Sequence, residues 1–163
     1  MYQYGDPFGL NCPIGAHVRR SHPRDSLDPK PGTASSVNLD KRHRLLRRGR
    51  EYGPPVPADE RVADDPPNDP ERGLFFICLA GNIGRQYEFI QHSWVNNPKF
   101  DELYDEPDPV TGYHPPNGSA AFSVPGEPVR ERFTNIPSFV TTRGGAYFFM
   151  PGIRALRYLA ALG

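Results

Sequence analysis

A single histidine lies in a short apolar run near the start of the chain, and two arginines follow it closely. The run covers residues 12–20, with His17 at its centre and Arg19 and Arg20 at its end. Neutral imidazole is the commonest protein ligand of transition metals, so His17 is a candidate metal ligand. The alternative is a half-buried strand residue whose ring nitrogens are bonded to backbone groups.

A second group of residues suited to chemistry is the basic window from Lys41 to Arg50, in which six of ten residues are Lys or Arg. A fixed guanidinium can stabilise negative charge that develops during a reaction. The same window can be read as a nucleic-acid-binding patch. Against the second reading, residues 54–71 contain six acidic side chains able to neutralise it.

The elements that must position these groups begin with the apolar run Leu74–Ala80, which predicts a buried strand. A helix from about Ile83 to Val95 follows, with Asn82 as its N-cap, because apolar residues recur at helical spacing. These residues are Ile83, Tyr87, Ile90 and Trp94.

Further strands are predicted near residues 16–20, 44–49 and 139–150. Within residues 139–150, the strand-like segments 139–142 and 146–150 flank Arg143-Gly144-Gly145. Paired glycines of this kind are typical of a hairpin turn. A short helix is predicted after Pro151. Residues 21–40 and 100–137 are rich in proline and polar residues, and we expect long loops there.

Composition limits the class of protein further. Twenty prolines and 16 glycines in 163 residues indicate a chain with much irregular structure. The 19 basic and 19 acidic side chains cancel, so no overall field favours nucleic acid or an anionic membrane. Cys12 and Cys78 lack paired spacing and are expected to be buried free thiols. No apolar stretch has membrane-spanning length and no signal peptide is recognisable, so we expect no membrane partner and a cytoplasmic location.

Five segments, in the same order, resemble the dye-decolorising (DyP-type) peroxidases. The first is residues 12–20 together with the flanking Asp6-Pro7-Phe8-Gly9 and Pro23-Arg24. The second contains Leu45-Leu46-Arg47-Arg48-Gly49-Arg50, and the others are residues 71–78, 85–98 and 143–151. The resemblance covers nearly the whole chain.

The resemblance implies a haem b enzyme that reduces hydrogen peroxide and oxidises a dye or another aromatic reductant. It makes His17 the proximal haem ligand, and it places the catalytic arginine on Arg47, with the adjacent Arg48 as the alternative. It also implies that Arg19 and Arg47 contact the cofactor. Glu88 is the implied partner of the second ring nitrogen of His17, although a surface ion pair remains open for that carboxylate.

Only the C-terminal half of such an enzyme is matched by residues 1–163, because the upstream Gly-x-x-Asp-Gly motif with its distal aspartate is absent. The implied fold is α+β, a ferredoxin-like four-stranded antiparallel sheet with helices and long loops. We therefore expect association with the missing N-terminal half, or self-association. His22 and Gly49 depart from the family pattern. A haem-binding protein without turnover and a basic nucleic-acid module are the alternatives.

Overall fold

The computed structural model describes residues 1–56, 70–115 and 120–162. Two consecutive helical segments, α4 and α5 below, are π-helical, which means that the backbone N–H bonds to the carbonyl five residues earlier. The helices are α1 (Tyr2–Gly5), α2 (His17–Ser21), α3 (Ala34–Lys41), α4 (Gly84–Glu88), α5 (Ile90–Val95) and α6 (Ile153–Ala160), with a 3₁₀ turn at Phe100–Glu102. The strands are β1 (Leu46–Arg47), β2 (Arg50–Tyr52), β3 (Gly73–Phe75), β4 (Cys78–Leu79), β5 (Ala121–Val124) and β6 (Glu131–Thr134).

The first four strands form one antiparallel ribbon. β1 pairs with β4 and β2 pairs with β3, and the register is unbroken from Leu46↔Leu79 to Tyr52↔Gly73. Between the two pairs the N–H of Arg48 donates to the carbonyl of Ile77 at 2.8 Å. A continuous register keeps alternate side chains on fixed faces along the whole ribbon.

The α+β class is confirmed, but a four-stranded sheet is not present among the described residues. They form three two-stranded pairs: β1–β4, β2–β3 and β5–β6. The predicted positions near 44–49 and 74–80 do contain strands. The prediction that Leu74–Ala80 is buried is wrong, because Leu74, Phe75 and Ile77 are 58%, 61% and 48% exposed.

Two other predicted strands are also absent. Residues 16–20 lie mainly in α2, where the N–H groups of Arg19 and Arg20 both donate to the carbonyl of Ala16. Residues 139–150 form no strand or hairpin, and each of them is exposed. A β-prone segment cannot form a ladder unless another strand satisfies its backbone groups.

Both predicted loops contain regular structure. Residues 21–40 include α3, whose N-cap Thr33 accepts a hydrogen bond from the N–H of Ser36 at 3.4 Å. The stretch 100–137 includes the β5–β6 hairpin, with Phe122 opposite Phe133. The helical region predicted near residues 83–95 and the C-terminal helix are both confirmed.

The compact part of the chain is built around the end of α5. Ile90, Trp94, Val95 and Phe100 are buried together, and Leu27, Leu45 and Phe89 pack against them. The face of α5 predicted from apolar spacing therefore does enter the core. No helix among the described residues has both the length and the apolar character needed to cross a bilayer.

Exposed large apolar side chains are concentrated in two regions outside this core. One is the ribbon, and the other is the segment from Phe139 to Leu162, which includes α6. Phe148 and Phe149 are 86% and 89% exposed. Exposed apolar surface of this extent is characteristic of an interaction surface.

Candidate functional site

His17 is the first residue of α2, and its ring is fixed by a residue far away in the chain. The Nδ1 atom lies 2.9 Å from Oδ2 of Asp108. The Asp108 side chain is completely buried, whereas that of His17 is 36% exposed. The Asp108 carboxylate is therefore a buried anchor for an accessible imidazole.

Asp108 is itself held by the turn that follows it. Its Oδ1 atom accepts hydrogen bonds from the N–H groups of Val110 at 2.9 Å and Thr111 at 2.8 Å. Burial alone would raise the pKa of Asp108, but the hydrogen bonds from His17 and these N–H groups hold the pKa below its usual value. The carboxyl is thus ionised, and His17 donates to it through Nδ1–H.

This arrangement fixes the tautomer of His17 and leaves Nε2 as the lone-pair nitrogen. Among the described residues Nε2 has no hydrogen-bond partner. An imidazole whose other nitrogen donates to a carboxylate is the usual form of a histidine that binds a metal. A haem iron, already held by its porphyrin, needs one such protein ligand, so the donor set fits haem.

Arg20 connects the His17 helix to the core. Its guanidinium is completely buried and donates to the carbonyls of Trp94 at 2.8 Å and Asn97 at 2.9 Å, and also to that of Glu106. Burial lowers the pKa of Arg20 to about 10, and the nearby Asp108 and Glu106 oppose this shift. Arg20 remains charged at neutral pH and fixes α2 against the segment that carries Asp108.

Arg19 is bonded to the loop that precedes α2. Its side chain is buried, and the guanidinium donates to the carbonyls of Asp6 at 3.0 Å and Cys12 at 3.1 Å. It therefore stabilises the loop that leads to His17. It is 1% exposed, and its contact with the cofactor stays a prediction.

Arg47 and Arg48 lie on opposite faces of the ribbon. Arg47 is opposite Cys78 and shares its face with Phe76, whose ring centroid is 6.1 Å from that of Tyr87 on α4. Arg48 is on the other face, and its guanidinium donates to the carbonyl of Arg47. Only Arg47 is thus on the face that meets the helix.

The Glu88 carboxylate accepts a hydrogen bond from the hydroxyl of Tyr147 at 3.1 Å. The expected hydrogen bond between Glu88 and His17 is replaced by the one from His17 to Asp108. Sequence reasoning missed Asp108, which is 91 residues from His17. The one available signal was Asp-Pro-Val-Thr-Gly, a typical turn in which an aspartate accepts from the N–H groups just ahead.

The other histidines occupy different environments. His22 Nε2 is 3.1 Å from the carboxylate of Asp40, without hydrogen-bond geometry, and burial lowers the pKa of His22 more than Asp40 raises it. His43 is buried and stacks on Phe89 with 4.0 Å between ring centroids. Both cysteines are free and half-buried. No three His, Cys, Asp or Glu side chains converge on a metal position within the described part of the chain.

Comparison with known proteins identifies homologues along nearly the whole chain. The multifunctional dye peroxidase DyP2 of Amycolatopsis sp. is 36% identical over 169 residues, covering 94% of this chain and 33% of the relative. A dye-decolorizing peroxidase of Exidia glandulosa is 34% identical, covering 90% of this chain and 27% of the relative. No protein-family model matches.

Solved structures give the same result. A dye-decolorizing peroxidase in complex with cyanide superposes with a TM-score of 0.67 at 31% identity, covering 92% of this chain and 32% of that one. The DyP-type peroxidase of Anabaena sp. superposes with a TM-score of 0.62 at 29% identity, covering 80% of this chain and 27% of that one. The chain is therefore homologous in sequence and fold to the DyP-type peroxidases, and it spans about a third of the length of the relatives it matches.

Proposed function

We propose that this chain is the C-terminal, haem-binding portion of a peroxidase that reduces hydrogen peroxide and oxidises a dye or another aromatic compound. The observation that carries the proposal is the pair formed by His17 and Asp108, at 2.9 Å. The homologous peroxidases support the reaction class, and haem b is the cofactor we assign. When bound, the haem supplies the iron centre at which peroxide is reduced.

His17 would hold the haem iron through Nε2. The ionised Asp108 keeps the proton on Nδ1, so Nε2 stays available as a ligand and becomes more basic. Arg20 and the turn at Val110 and Thr111 keep this pair in place. These residues are buried or bonded to backbone groups, so the imidazole is positioned before any ligand arrives.

Arg47 is the residue we assign to stabilising negative charge as the peroxide bond breaks. A guanidinium remains charged at every working pH and presents several N–H donors. Its position on the ribbon face that carries Phe76 sets it apart from Arg48. The proton-transfer group of this reaction would come from the N-terminal half, since residues 1–163 lack the Gly-x-x-Asp-Gly motif.

We further propose that the N-terminal half covers the exposed apolar surface of the ribbon and of residues 139–162. The chain spans about a third of the length of its relatives, and the part of those relatives outside the match is large enough to cover such a surface. The β-prone segment 139–150 and the open ribbon edges would then complete the ferredoxin-like four-stranded sheet. Without that half, the same surface would drive self-association.

The haem proposal is tested by titrating haemin into the purified chain and recording the Soret band. His17→Ala should abolish histidine ligation, while His22→Ala, a nearby imidazole, should leave it intact. Retention of the histidine-ligated spectrum in His17→Ala would assign the ligand to another histidine. Circular dichroism of the haem-free variants separates loss of the ligand from loss of the fold.

The association proposal is tested by co-expressing the N-terminal half and measuring mass by light scattering together with peroxide-dependent dye oxidation. We expect a defined complex with higher turnover than the chain by itself. A monodisperse monomer with full turnover in the absence of that half would contradict the proposal.

A further inference from the structure

The two ring nitrogens of His114 both meet backbone carbonyl oxygens. Nε2 lies 3.0 Å from the carbonyl oxygen of Asp108, and Nδ1 lies 3.0 Å from that of Pro137. A backbone carbonyl can only accept a hydrogen bond, and a neutral imidazole has one N–H to donate. Both contacts are hydrogen bonds only when the ring carries two protons, as an imidazolium.

We propose that His114 is a positioning residue which, as an imidazolium, fastens the turn after Asp108 to the segment at Pro137 and thereby holds the carboxylate that orients His17. The link to haem rests on the proposed function of His17. The fastening of the turn itself does not, because it concerns contacts within the haem-free chain.

Asp108 contacts both His114 and His17. The backbone carbonyl of Asp108 accepts from His114 and from the N–H of Gly112 at 3.1 Å, while the side-chain carboxylate accepts from His17. The N–H of Asp108 donates to the carbonyl of Val95 at 2.9 Å. A displacement of the Asp108 carbonyl therefore moves the carboxylate, since the two groups share one Cα.

The titratable groups around His114 lie on the turn itself and across a small neighbouring cavity. On the turn they are the Asp108 carboxylate, occupied by His17, and Tyr113, whose N–H donates to Asn96 at 3.0 Å. Asp105 lines the adjacent cavity together with Tyr113. On the Pro137 side, residues 135–142 contain no titratable side chain. A second imidazole, that of His17, contacts the same turn through the Asp108 carboxylate.

Loss of one proton forces one of the two contacts to break, because a lone-pair nitrogen would then face a carbonyl oxygen. The contacts that hold the turn are therefore both present in the doubly protonated form of the ring, which lower pH favours, and one of them is lost in the singly protonated form. A hydrogen bond to a charged group changes an equilibrium by about tenfold or more. The N–H groups of Val110 and Thr111, which bond the Asp108 carboxylate, should report the change.

The test uses the haem-free chain labelled with nitrogen-15, at pH values from 5 to 8. Imidazole spectra should show two protonated nitrogens on His114 at the acid end. Amide hydrogen exchange of Val110 and Thr111, corrected for its intrinsic pH dependence, should quicken about tenfold or more as that ring deprotonates. In His114→Ala the part of the pH dependence that follows His114 should vanish, and in His114→Arg, which keeps N–H donors at every pH, protection should persist.

His92→Ala is the matched control, because His92 is exposed and should leave the exchange profile unchanged. Should His114 show one protonated nitrogen at pH 5, or should wild type and His114→Ala exchange alike throughout, the inference is overturned. Neither result depends on haem. If His114→Ala fails to fold, the wild-type titration and His114→Arg still decide the outcome.

Discussion

Replacing Asp108 by asparagine changes almost nothing in size but reverses the hydrogen-bond roles around His17. The carboxylate accepts from His17 on one oxygen and from the N–H groups of Val110 and Thr111 on the other. An amide has one oxygen and one NH₂ group. If its oxygen serves the turn, its NH₂ group meets the Nδ1–H of His17, and two donors then face each other.

The least costly escape moves the proton of His17 from Nδ1 to Nε2, and that removes the lone pair needed for iron. Reversing the amide instead would set its NH₂ group against two backbone donors. Each buried donor left without an acceptor costs about 1–3 kcal/mol. We therefore expect Asp108→Asn to weaken haem binding by about 10–100-fold, the range found when the carboxylate partner of a metal-binding histidine is changed.

The assay is a haemin titration at pH 7 followed through the Soret band, with imidazole nitrogen shifts of the haem-free chain reporting the tautomer. Asp105→Asn is the matched control, since it lies on the same segment and is exposed. A folded Asp108→Asn chain with wild-type affinity and an unchanged Nδ1–H tautomer would refute the reasoning.

Three other perturbations test separate parts of the structure. In the haem-loaded complex with the N-terminal half, Arg47→Leu should lower peroxide reactivity by about 10²-fold with haem binding retained; a silent Arg47→Leu beside an impaired Arg48→Leu would reverse the assignment. Arg20→Met should destabilise the chain by about 3 kcal/mol or more in urea unfolding, because buried carbonyls lose their charged donor. Arg42→Met, at an exposed position, is the control. Equal urea midpoints for the two variants would contradict this prediction. Burial lowers the pKa of His22 below its unfolded value near 6.5, so stability should fall as the pH drops below that value. His22→Asn should flatten this dependence of the melting temperature between pH 7 and 5, and an unchanged slope would count against it.

Apolar periodicity predicted the helices, whose backbone hydrogen bonds are formed within the helix itself. The helical region carrying Trp94 follows from one repeating apolar face, which needs no information from the rest of the chain. The segment around His17 has strand-like composition, yet it is helical because Arg20 is bonded to carbonyls more than seventy residues away. Tertiary contacts of that kind override local preference and leave no local pattern.

The residues of the candidate site were also only partly predictable from the sequence. A histidine in an apolar run is visible by inspection, whereas its anchor Asp108 lies between two prolines in a segment expected to be a loop. The β-prone residues 139–150 show the converse case. Their composition favours strands, but the predicted strands are absent because no second strand among the described residues supplies the hydrogen bonds.

The unbroken register of the ribbon also limits how this chain can change in length. Inserting or deleting one residue between Leu46 and Tyr52, or between Gly73 and Leu79, would exchange the two faces beyond that point. A change between Leu46 and Arg47 would move Arg47 to the opposite face and bring Arg48 onto the side where Phe76 meets Tyr87. Length variation in natural or engineered relatives should therefore accumulate in the connection between Tyr52 and Gly73, and changes within the paired strands should come in twos.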